Sequence, residues 1–186
     1  MKGMAAVFID GGYIDKILEY NFKRQKIDYG IFSNNLCGEC ERFRTYYYYC
    51  MPYRDSPPIG DQNRRYSNHQ RFINALNRCE RFELRMGKLQ KFTNEKGKID
   101  FRQKRVDGML AVDIARLSWK GKISKAILVA GDSDYTPAVQ DAKDADVLVT
   151  LVYHPSSFHD ELYSICDERV EITKKLLDAA SFKNKK

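Results

Sequence analysis

The sequence lacks several features that would place it quickly in a common class of protein. No apolar run approaches the ~18 residues of a membrane-spanning helix, and the first residues lead into a short apolar segment without the pattern of a signal peptide. No G-x-G-x-x-G fingerprint follows the first predicted strand, so a dinucleotide site is not expected. No serine or cysteine nucleophile with a paired base can be named. We therefore expect a cytoplasmic protein that has no membrane partner.

Cysteine is sparse, and its five copies make an odd number. Without an export signal, the thiols are expected to be reduced. Cys37 and Cys40 have the spacing of half a structural zinc site, but such sites usually take four ligands in two pairs. The nearby Cys50, His69 and Cys79 do not supply a second pair. We therefore do not expect zinc at Cys37 and Cys40.

Positive charge is in excess, with 32 Lys and Arg against 25 Asp and Glu, which gives a net charge of +7. Such an excess favours a polyanionic partner, of which nucleic acid is the usual one and a membrane surface the second. Charge alone does not separate the two. The 186 residues suit one domain with a real core. We expect that domain over residues 1–180, followed by a basic tail over 181–186.

The prediction is organised around residues 126–135, which read Ala-Ile-Leu-Val-Ala-Gly-Asp-Ser-Asp-Tyr. The apolar residues predict a buried strand of a parallel sheet. Gly131 permits a sharp turn, after which Asp132 and Asp134 stand at the carboxyl end of the strand, where open α/β sheets bind ligands. Two clustered carboxylates repel each other unless a cation lies between them, and oxygen ligands suit Mg²⁺ or Mn²⁺. Helix capping is the competing explanation for either aspartate.

The same order of strand, carboxylate and glycine occurs at the start of the chain. An apolar strand at 4–9 is followed by Asp10, two glycines and a helical apolar face. Asp107 is predicted at the start of a later helix. Asp113 lies about 120° around that helix from Asp107 at 3.6 residues per turn, so it is expected to flank the site or to pair with a basic residue. A solvated Asp10 in a tight turn and a capping Asp107 are the alternatives.

The remaining pattern predicts an α/β fold: a single domain with a mainly parallel central sheet, helices on both of its faces and a small β-hairpin insertion. Further strands are expected at 42–51, 82–86, 125–130 and 147–153. Further helices are expected at 28–36, 68–81, 158–165 and 172–180. The hairpin is predicted from 88–92 and 99–103, which flank a lysine-rich turn. The tyrosine run at 46–49 favours a buried strand over a base-stacking surface.

Three blocks, in their order, resemble the NYN domain family (LabA-like), a branch of the PIN-like nucleases. They are Asp10-Gly11-Gly12-Tyr13 after a strand, Lys104-Arg105-Val106-Asp107 with Asp113, and Gly131-Asp132-Ser133-Asp134-Tyr135. The resemblance covers residues 4 to about 172. It implies a PIN-like (Rossmannoid) domain and metal-dependent cleavage of RNA by clustered acidic residues.

Carried over to this chain, the resemblance implies catalytic and metal-binding roles for Asp10, Asp107, Asp132 and Asp134, with Asp113 as a possible fifth ligand. The expected cofactor is Mg²⁺ or Mn²⁺. Residues expected to contact the RNA are Arg105, Lys104, Tyr13, Ser133, Lys96 and Lys98. The family often has Asn where Tyr13 stands, and a tyrosine hydroxyl in place of that amide would either orient water or phosphate in its stead or lower the rate of cleavage.

Together with the clustered aspartates, the resemblance implies an endoribonuclease that hydrolyses phosphodiester bonds, with single-stranded RNA as the substrate that the resemblance suggests. Products with 5′-phosphate and 3′-hydroxyl ends are implied by the resemblance alone. The alternative is a nucleic-acid-binding module of the same fold that cuts weakly or no longer cuts. A third hypothesis, a phosphatase of the haloacid dehalogenase type, would need Asp-x-Asp after the first strand, where Asp10-Gly11-Gly12 stands. A homodimer is left open, since no residue argues for or against it.

Overall fold

The computed structural model describes residues 3–95 and 97–182 of the chain. Within these residues the strands are β1 (Met4–Asp10), β2 (Glu41–Tyr49), β3 (Phe82–Met86), β4 (Lys88–Thr93), β5 (Ile99–Lys104), β6 (Lys125–Val129), β7 (Leu148–Tyr153) and β8 (Glu168–Glu171). Six of them form one sheet in the order β3-β2-β1-β6-β7-β8, and every pair in it is parallel. β4 and β5 form a separate antiparallel hairpin. The predicted sheet and hairpin insertion are thus confirmed.

Helices cover both faces of the sheet, as predicted. They are α1 (Gly11–Asn21), α2 (Tyr29–Cys37), α3 (Gln62–Leu76), α4 (Val106–Trp119), α5 (Thr136–Asp144), α6 (Asp160–Ile165) and α7 (Lys174–Ala179). α4, α5 and α6 bury their apolar side chains against one face, and α1, α2, α3 and α7 against the other. Among the helices of the described residues, none has the length and apolarity needed to cross a membrane.

The two central strands, β1 and β6, are apolar over residues 5–9 and 126–129, because both of their faces are covered there. In β1, the side chains alternate between the two cores: Phe8 packs with the α4 side and Ile9 with the α1 side. The tyrosine run of β2 alternates in the same way and is buried. The run therefore builds the core, as the sequence favoured, and does not form an exposed stacking surface.

Two elements differ from the sequence prediction. Helix α3 begins at Gln62, six residues before the predicted start, and ends at Leu76, five residues before the predicted end. The Gln62 side chain accepts the backbone N–H groups of Asp55 and Ile59 and so orders the preceding loop. Strand β8, Glu168–Glu171, was not predicted. It is a short edge strand of mainly charged, exposed residues, so it lacks the apolar run by which a buried strand is recognised.

Candidate metal and nucleic-acid site

Asp10 and Asp132 lie at the point where the strand order of the sheet reverses. β1 and β6 are parallel neighbours, with Ile9 paired to Val129, and the chain continues to opposite sides of the sheet from this pair. Asp10 ends β1, and Asp132 follows β6 by three residues. Ligands of open α/β sheets bind in the crevice outside the carboxyl ends of the strands at such a point. The topology therefore places both carboxylates where a ligand site is expected.

Each of these aspartates also caps a helical turn with one oxygen. This is the capping alternative that the sequence left open for Asp132, whereas the alternative for Asp10 was a solvated turn residue and Asp10 is partly buried. Oδ1 of Asp10 accepts the backbone N–H of Tyr13 at 3.0 Å, at the start of α1. Oδ1 of Asp132 accepts the N–H of Asp134 at 3.2 Å, at the start of a 3₁₀ turn over Ser133–Tyr135. Capping fixes the orientation of the carboxylate, and its second oxygen is left for another partner.

The glycine after Asp10 is required by a close approach of the backbone to β2. A Cβ atom on Gly11 would lie 2.6 Å from the carbonyl oxygen of Tyr48 and 2.7 Å from the ring of Tyr47. Both contacts are too short for a side chain to be accommodated without moving the backbone of β2. Gly11 thus lets α1 begin against the sheet and holds Asp10 at its edge.

Tyr135 brings Asp10 and Asp107 together. Asp107 lies in the first turn of α4, where the helix dipole favours a carboxylate. The hydroxyl of the fully buried Tyr135 lies 3.1 Å from Oδ2 of Asp10 and 2.9 Å from Oδ1 of Asp107. A phenol has one proton, so it can donate to only one of the two carboxylates at a time. The two carboxylates therefore share a single donor, an arrangement that a proton or a cation would stabilise.

The pKa shifts of Asp10 and Tyr135 also indicate a site that a proton or a cation would stabilise. Burial raises the pKa of Asp10 above its ordinary value, and the negative charge of Asp107 adds to the increase, while the hydrogen bonds from Tyr13 and Tyr135 oppose it. Burial and the two carboxylates raise the pKa of Tyr135 far above that of a free phenol. Tyr135 therefore remains a donor at neutral pH, and the ionised form of Asp10 is destabilised until positive charge is supplied.

Asp132 and Asp134 are exposed at the same edge of the sheet, and Ser133 between them is partly buried. Within residues 3–95 and 97–182, no three His, Cys, Asp or Glu side chains lie close enough together to hold a metal ion. Mg²⁺ is commonly bound by only one or two carboxylates, together with water and substrate phosphates. The donor chemistry of the pair formed by Asp10 and Asp107 therefore fits this ion, with Asp132 and Asp134 nearby on the neighbouring strand end.

The structure does not place Asp113 with the other aspartates. The carboxylate is buried, and its oxygens accept from the Tyr48 hydroxyl at 2.9 Å, from Nε of Arg85 at 2.9 Å and from Nη2 of Arg116 at 2.5 Å. Pairing with a basic residue was one of the two expectations for Asp113. These three contacts leave it as a structural ion-pair partner, and we do not include it among the candidate ligands.

Tyr13 also lies elsewhere than expected. Its side chain is buried, and its hydroxyl accepts the backbone N–H of His154, at the end of β7, at 2.8 Å. Its ring packs on Gly131, where an added Cβ would come within 2.6 Å of it. Because the ring joins α1 to the ends of β6 and β7, Tyr13 braces the site and does not face a nucleic acid.

Two of the basic residues expected to contact RNA, Lys104 and Arg105, lie where the hairpin meets α4. Both side chains are exposed, and Asp107 follows Arg105 by two residues in the sequence. Lys98 is exposed in the hairpin turn, where its backbone N–H bonds to Oδ1 of Asn94. Lys96 lies outside the described residues.

The thiols of Cys37 and Cys40 are not paired in a disulfide. Cys37 is buried, and this burial raises the pKa of its thiol to about 11. Zinc binds the thiolate form. The environment of Cys37 therefore disfavours the form that a metal site would need.

Asp15 is a further acidic residue near the site, and it was not predicted from the sequence. It lies on α1, is partly buried, and lines a small pocket with Asn68, His69 and Phe72. Burial raises its pKa to about 7, and the charges of Asp10 and Glu19 add to the increase. A carboxylate that is costly to ionise in the folded protein should reduce stability at neutral pH.

We expect Asp15→Asn to stabilise the protein above pH 7 and to have little effect near pH 4. The folded-state pKa of about 7 lies above the ordinary value of 3.8, so the folded protein binds the extra proton and loses stability as the pH rises between the two values. At about 1.4 kcal/mol per pKa unit, the gain of the variant approaches about 4 kcal/mol. Urea unfolding at pH 4.5 and pH 8 measures it. An equal gain at both pH values would contradict the prediction.

Comparison with known proteins agrees with this architecture. A crystal structure of a protein of unknown function from Vibrio parahaemolyticus superposes with a TM-score of 0.69 at 18% identity, covering 93% of this chain and 94% of that one. A nucleoside kinase from Burkholderia thailandensis reaches a TM-score of only 0.40 at 10% identity, covering 97% of this chain and 65% of that one, which is too low to support an argument. No curated protein matches the chain. The model of the NYN domain matches residues 4–173, so the chain belongs to the NYN domain family.

Proposed function

We propose that this NYN domain is a metal-dependent endoribonuclease that hydrolyses the phosphodiester bonds of single-stranded RNA. The observation that carries the proposal is the convergence of Asp10 and Asp107 on one hydroxyl, that of Tyr135, at the point where the strand order reverses. Membership in the NYN family supports a nuclease of the PIN-like type. The net charge of +7 suits a polyanionic substrate.

Asp10 and Asp107 are the residues that would hold Mg²⁺ or Mn²⁺, and Asp132 and Asp134 would complete the set of oxygen ligands. When bound, a divalent cation makes a nucleophile available from water near neutral pH and offsets the charge that develops on the phosphate. Tyr135 orients both carboxylates, because its hydroxyl contacts an oxygen of each. Its ring belongs to the same buried cluster as Val139 and Leu110, which fixes its position.

The exposed cations beside Asp107 would position the RNA. Lys104 and Arg105 connect the hairpin to α4, so a phosphate bound by them lies next to the acidic residues. Phosphate contacts of this kind set the register of a strand and carry no sequence information. Lys98, on the hairpin turn, and Ser133, between the two exposed aspartates, are further contacts in this proposal. Cleavage would leave 5′-phosphate and 3′-hydroxyl ends.

One observation favours a second candidate function, that of a nucleic-acid-binding module which cuts weakly or not at all. In the part of the chain that the structure describes, the acidic residues do not form a cluster of three or more metal-binding side chains. Assembly of the site would then depend on the cation and on the phosphate together. A binding module would retain the basic residues and the affinity for RNA, without metal-dependent cutting.

A cleavage assay distinguishes the two functions. Purified protein is incubated with a 5′-labelled single-stranded RNA in Mg²⁺, in Mn²⁺ or in EDTA, and Asp132→Asn protein purified in parallel reports any contaminating nuclease. The proposal expects cutting that requires the metal, is absent from the Asp132→Asn preparation and leaves 3′-hydroxyl ends that a poly(A) polymerase can extend. Binding of the RNA without metal-dependent cutting would favour the binding module.

A further inference from the structure

A cleft of about 350 Å³ lies beside the acidic residues and has no role in the proposed hydrolysis. Its walls are formed by the segment after β2, by α3 and by the start of β4. The lining includes Met51, Tyr53, Arg54, Tyr66, Lys88 and Leu89. The volume is at the lower end of the range of about 300–1,000 Å³ that is typical of small-molecule sites. The cleft is therefore large enough for a single aromatic ligand group.

Close packing connects this cleft to the acidic site. Gly87, on the cleft wall, packs so tightly that an added Cβ would lie 2.6 Å from the side chain of Val106 and 2.8 Å from the thiol of Cys50. Val106 directly precedes Asp107, and Cys50 directly precedes Met51 of the cleft. The charges of Asp107 and Asp10 contribute to the raised pKa of the Cys50 thiol. Val106 and Cys50 thus place the wall of the cleft next to the helix start that carries Asp107.

The lining residues and the side chains that pack on them combine aromatic rings with cations. The guanidinium carbon of Arg54 lies 4.3 Å from the ring centroid of Tyr66, and Nζ of Lys91 lies 5.2 Å from the ring centroid of Tyr53. Tyr53 also packs against Phe101 of the hairpin, with ring centroids 5.2 Å apart. Aromatic faces flanked by basic side chains are the features by which proteins bind the bases and phosphates of single-stranded nucleic acids.

Hydrogen bonds hold the cleft segment in place. Asp55 donates its backbone N–H to Oε1 of Gln62 and accepts from Nε2 of the same side chain, each at 3.0 Å. Nζ of Lys91, on β4, donates to the other carboxylate oxygen of Asp55 at 3.0 Å. The segment is thereby joined both to α3 and to the hairpin. A surface ordered before binding loses less entropy when a ligand enters.

We propose that this cleft binds one unpaired base of the RNA strand whose backbone passes the acidic residues. The base stacks on the surface formed by Tyr53 and by the Arg54–Tyr66 pair, and the exposed Lys88 at the rim contacts an adjacent phosphate. Base pairing hides the faces of a base inside a duplex, so the cleft selects single strands. This inference rests on the proposed function in that the substrate is RNA, and it extends that function by naming the structural basis for strand preference.

Binding of a fluorescein-labelled 12-nucleotide single-stranded RNA, measured by anisotropy in EDTA, tests the cleft without any cleavage. Tyr66→Ala should weaken binding roughly 5- to 100-fold, the range expected when one base loses its aromatic partner. Tyr66→Phe keeps the ring and should bind within about twofold of wild type. Arg54→Gln, at an exposed position where folding is not at risk, should also weaken binding. The affinity for a 12-base-pair duplex should be unchanged in both Tyr66 variants, and Arg54→Gln should weaken duplex binding less than single-strand binding, because it also removes a cation.

Tyr20→Ala is the matched control, because Tyr20 is a highly exposed tyrosine of α1 that does not line the cleft. Equal losses for Tyr20→Ala and Tyr66→Ala, equal losses for single strand and duplex, or no loss with Tyr66→Ala and Arg54→Gln would each overturn the proposal. Because the assay contains no metal, a protein that does not cut RNA still tests the cleft. Conversely, metal-dependent cutting together with unchanged binding by Tyr66→Ala would reject the cleft and leave the nuclease intact.

Discussion

Asp10→Asn is expected to abolish cleavage and, at the same time, to stabilise the fold. The loss should be on the order of 100-fold or more, as is typical when one electrostatic group of an active site is removed. The gain in stability follows from the raised pKa of Asp10, since burial makes its ionised form costly to fold around. Asn retains the oxygen that caps α1 by accepting from Tyr13, and it removes the charge that repels Asp107. Initial cleavage rates and urea unfolding at pH 8 measure the two effects.

The opposite signs of the two effects are what make this variant informative. A substitution that damaged the fold would reduce activity and stability together, whereas a residue kept for its charge reduces activity when it is neutralised and relieves the fold. Asp144→Asn is the matched control, because Asp144 is exposed at the far end of α5, where the helix has returned toward the amino-terminal edge of the sheet. It should change neither quantity. Full cleavage by Asp10→Asn would remove Asp10 from the proposed metal site.

The sheet could be predicted from the sequence because its central strands are buried on both faces. β1 and β6 are continuous apolar runs, and the rule that ligands bind at the carboxyl ends of parallel strands then locates Asp10 and Asp132. Strand β8 could not be found in the same way, because its charged residues pair only through the backbone at the edge of the sheet. A pattern of apolar residues indicates a buried segment, and β8 is mostly exposed, so it has no such pattern.

The contacts between residues of the candidate site could not be predicted from the sequence, because they depend on tertiary packing between distant segments. The Tyr135 hydroxyl meets Asp107 only because α4 packs against the 3₁₀ turn after β6, 28 residues away in sequence from Asp107. Tyr135 belongs to the block that resembled the family, and that is the one signal that could have marked it. Tyr13 was misassigned for the same reason, since the sequence could not show that its hydroxyl reaches the backbone of His154. Motifs thus located the acidic residues but not their partners.

From helical geometry, Asp113 was expected either to flank the metal site or to pair with a basic residue. Its contacts in the structure predict that substitution of Asp113 has a large effect on stability. Its buried carboxylate accepts from Tyr48, Arg85 and Arg116, which lie on β2, β3 and α4. Only 8% of the Asp113 side chain is exposed, against 24% for Arg85 and 44% for Arg116. Removal of the carboxylate would leave the buried Tyr48 hydroxyl without its acceptor and would reduce the anionic partners of Arg85 to Glu83, with which its guanidinium also forms an ion pair. The loss of folding stability should therefore come mainly from the changed contacts of Arg85 and Tyr48.

We expect Asp113→Ala to lower the free energy of unfolding by about 3 kcal/mol, the lower end of the range for breaking a buried ion pair, because Arg116 can turn to water. Urea unfolding at pH 7 measures the loss, with the exposed Glu39→Gln as a charge-matched control that should be neutral. A metal ligand would behave differently: its removal would leave metal-free stability unchanged or increased, as expected for Asp10→Asn. If Asp113→Ala unfolded at the same urea concentration as wild type in EDTA but lost the stabilisation that Mg²⁺ gives to wild type, Asp113 would have to return to the metal site, since an ion-pair partner does not depend on the cation.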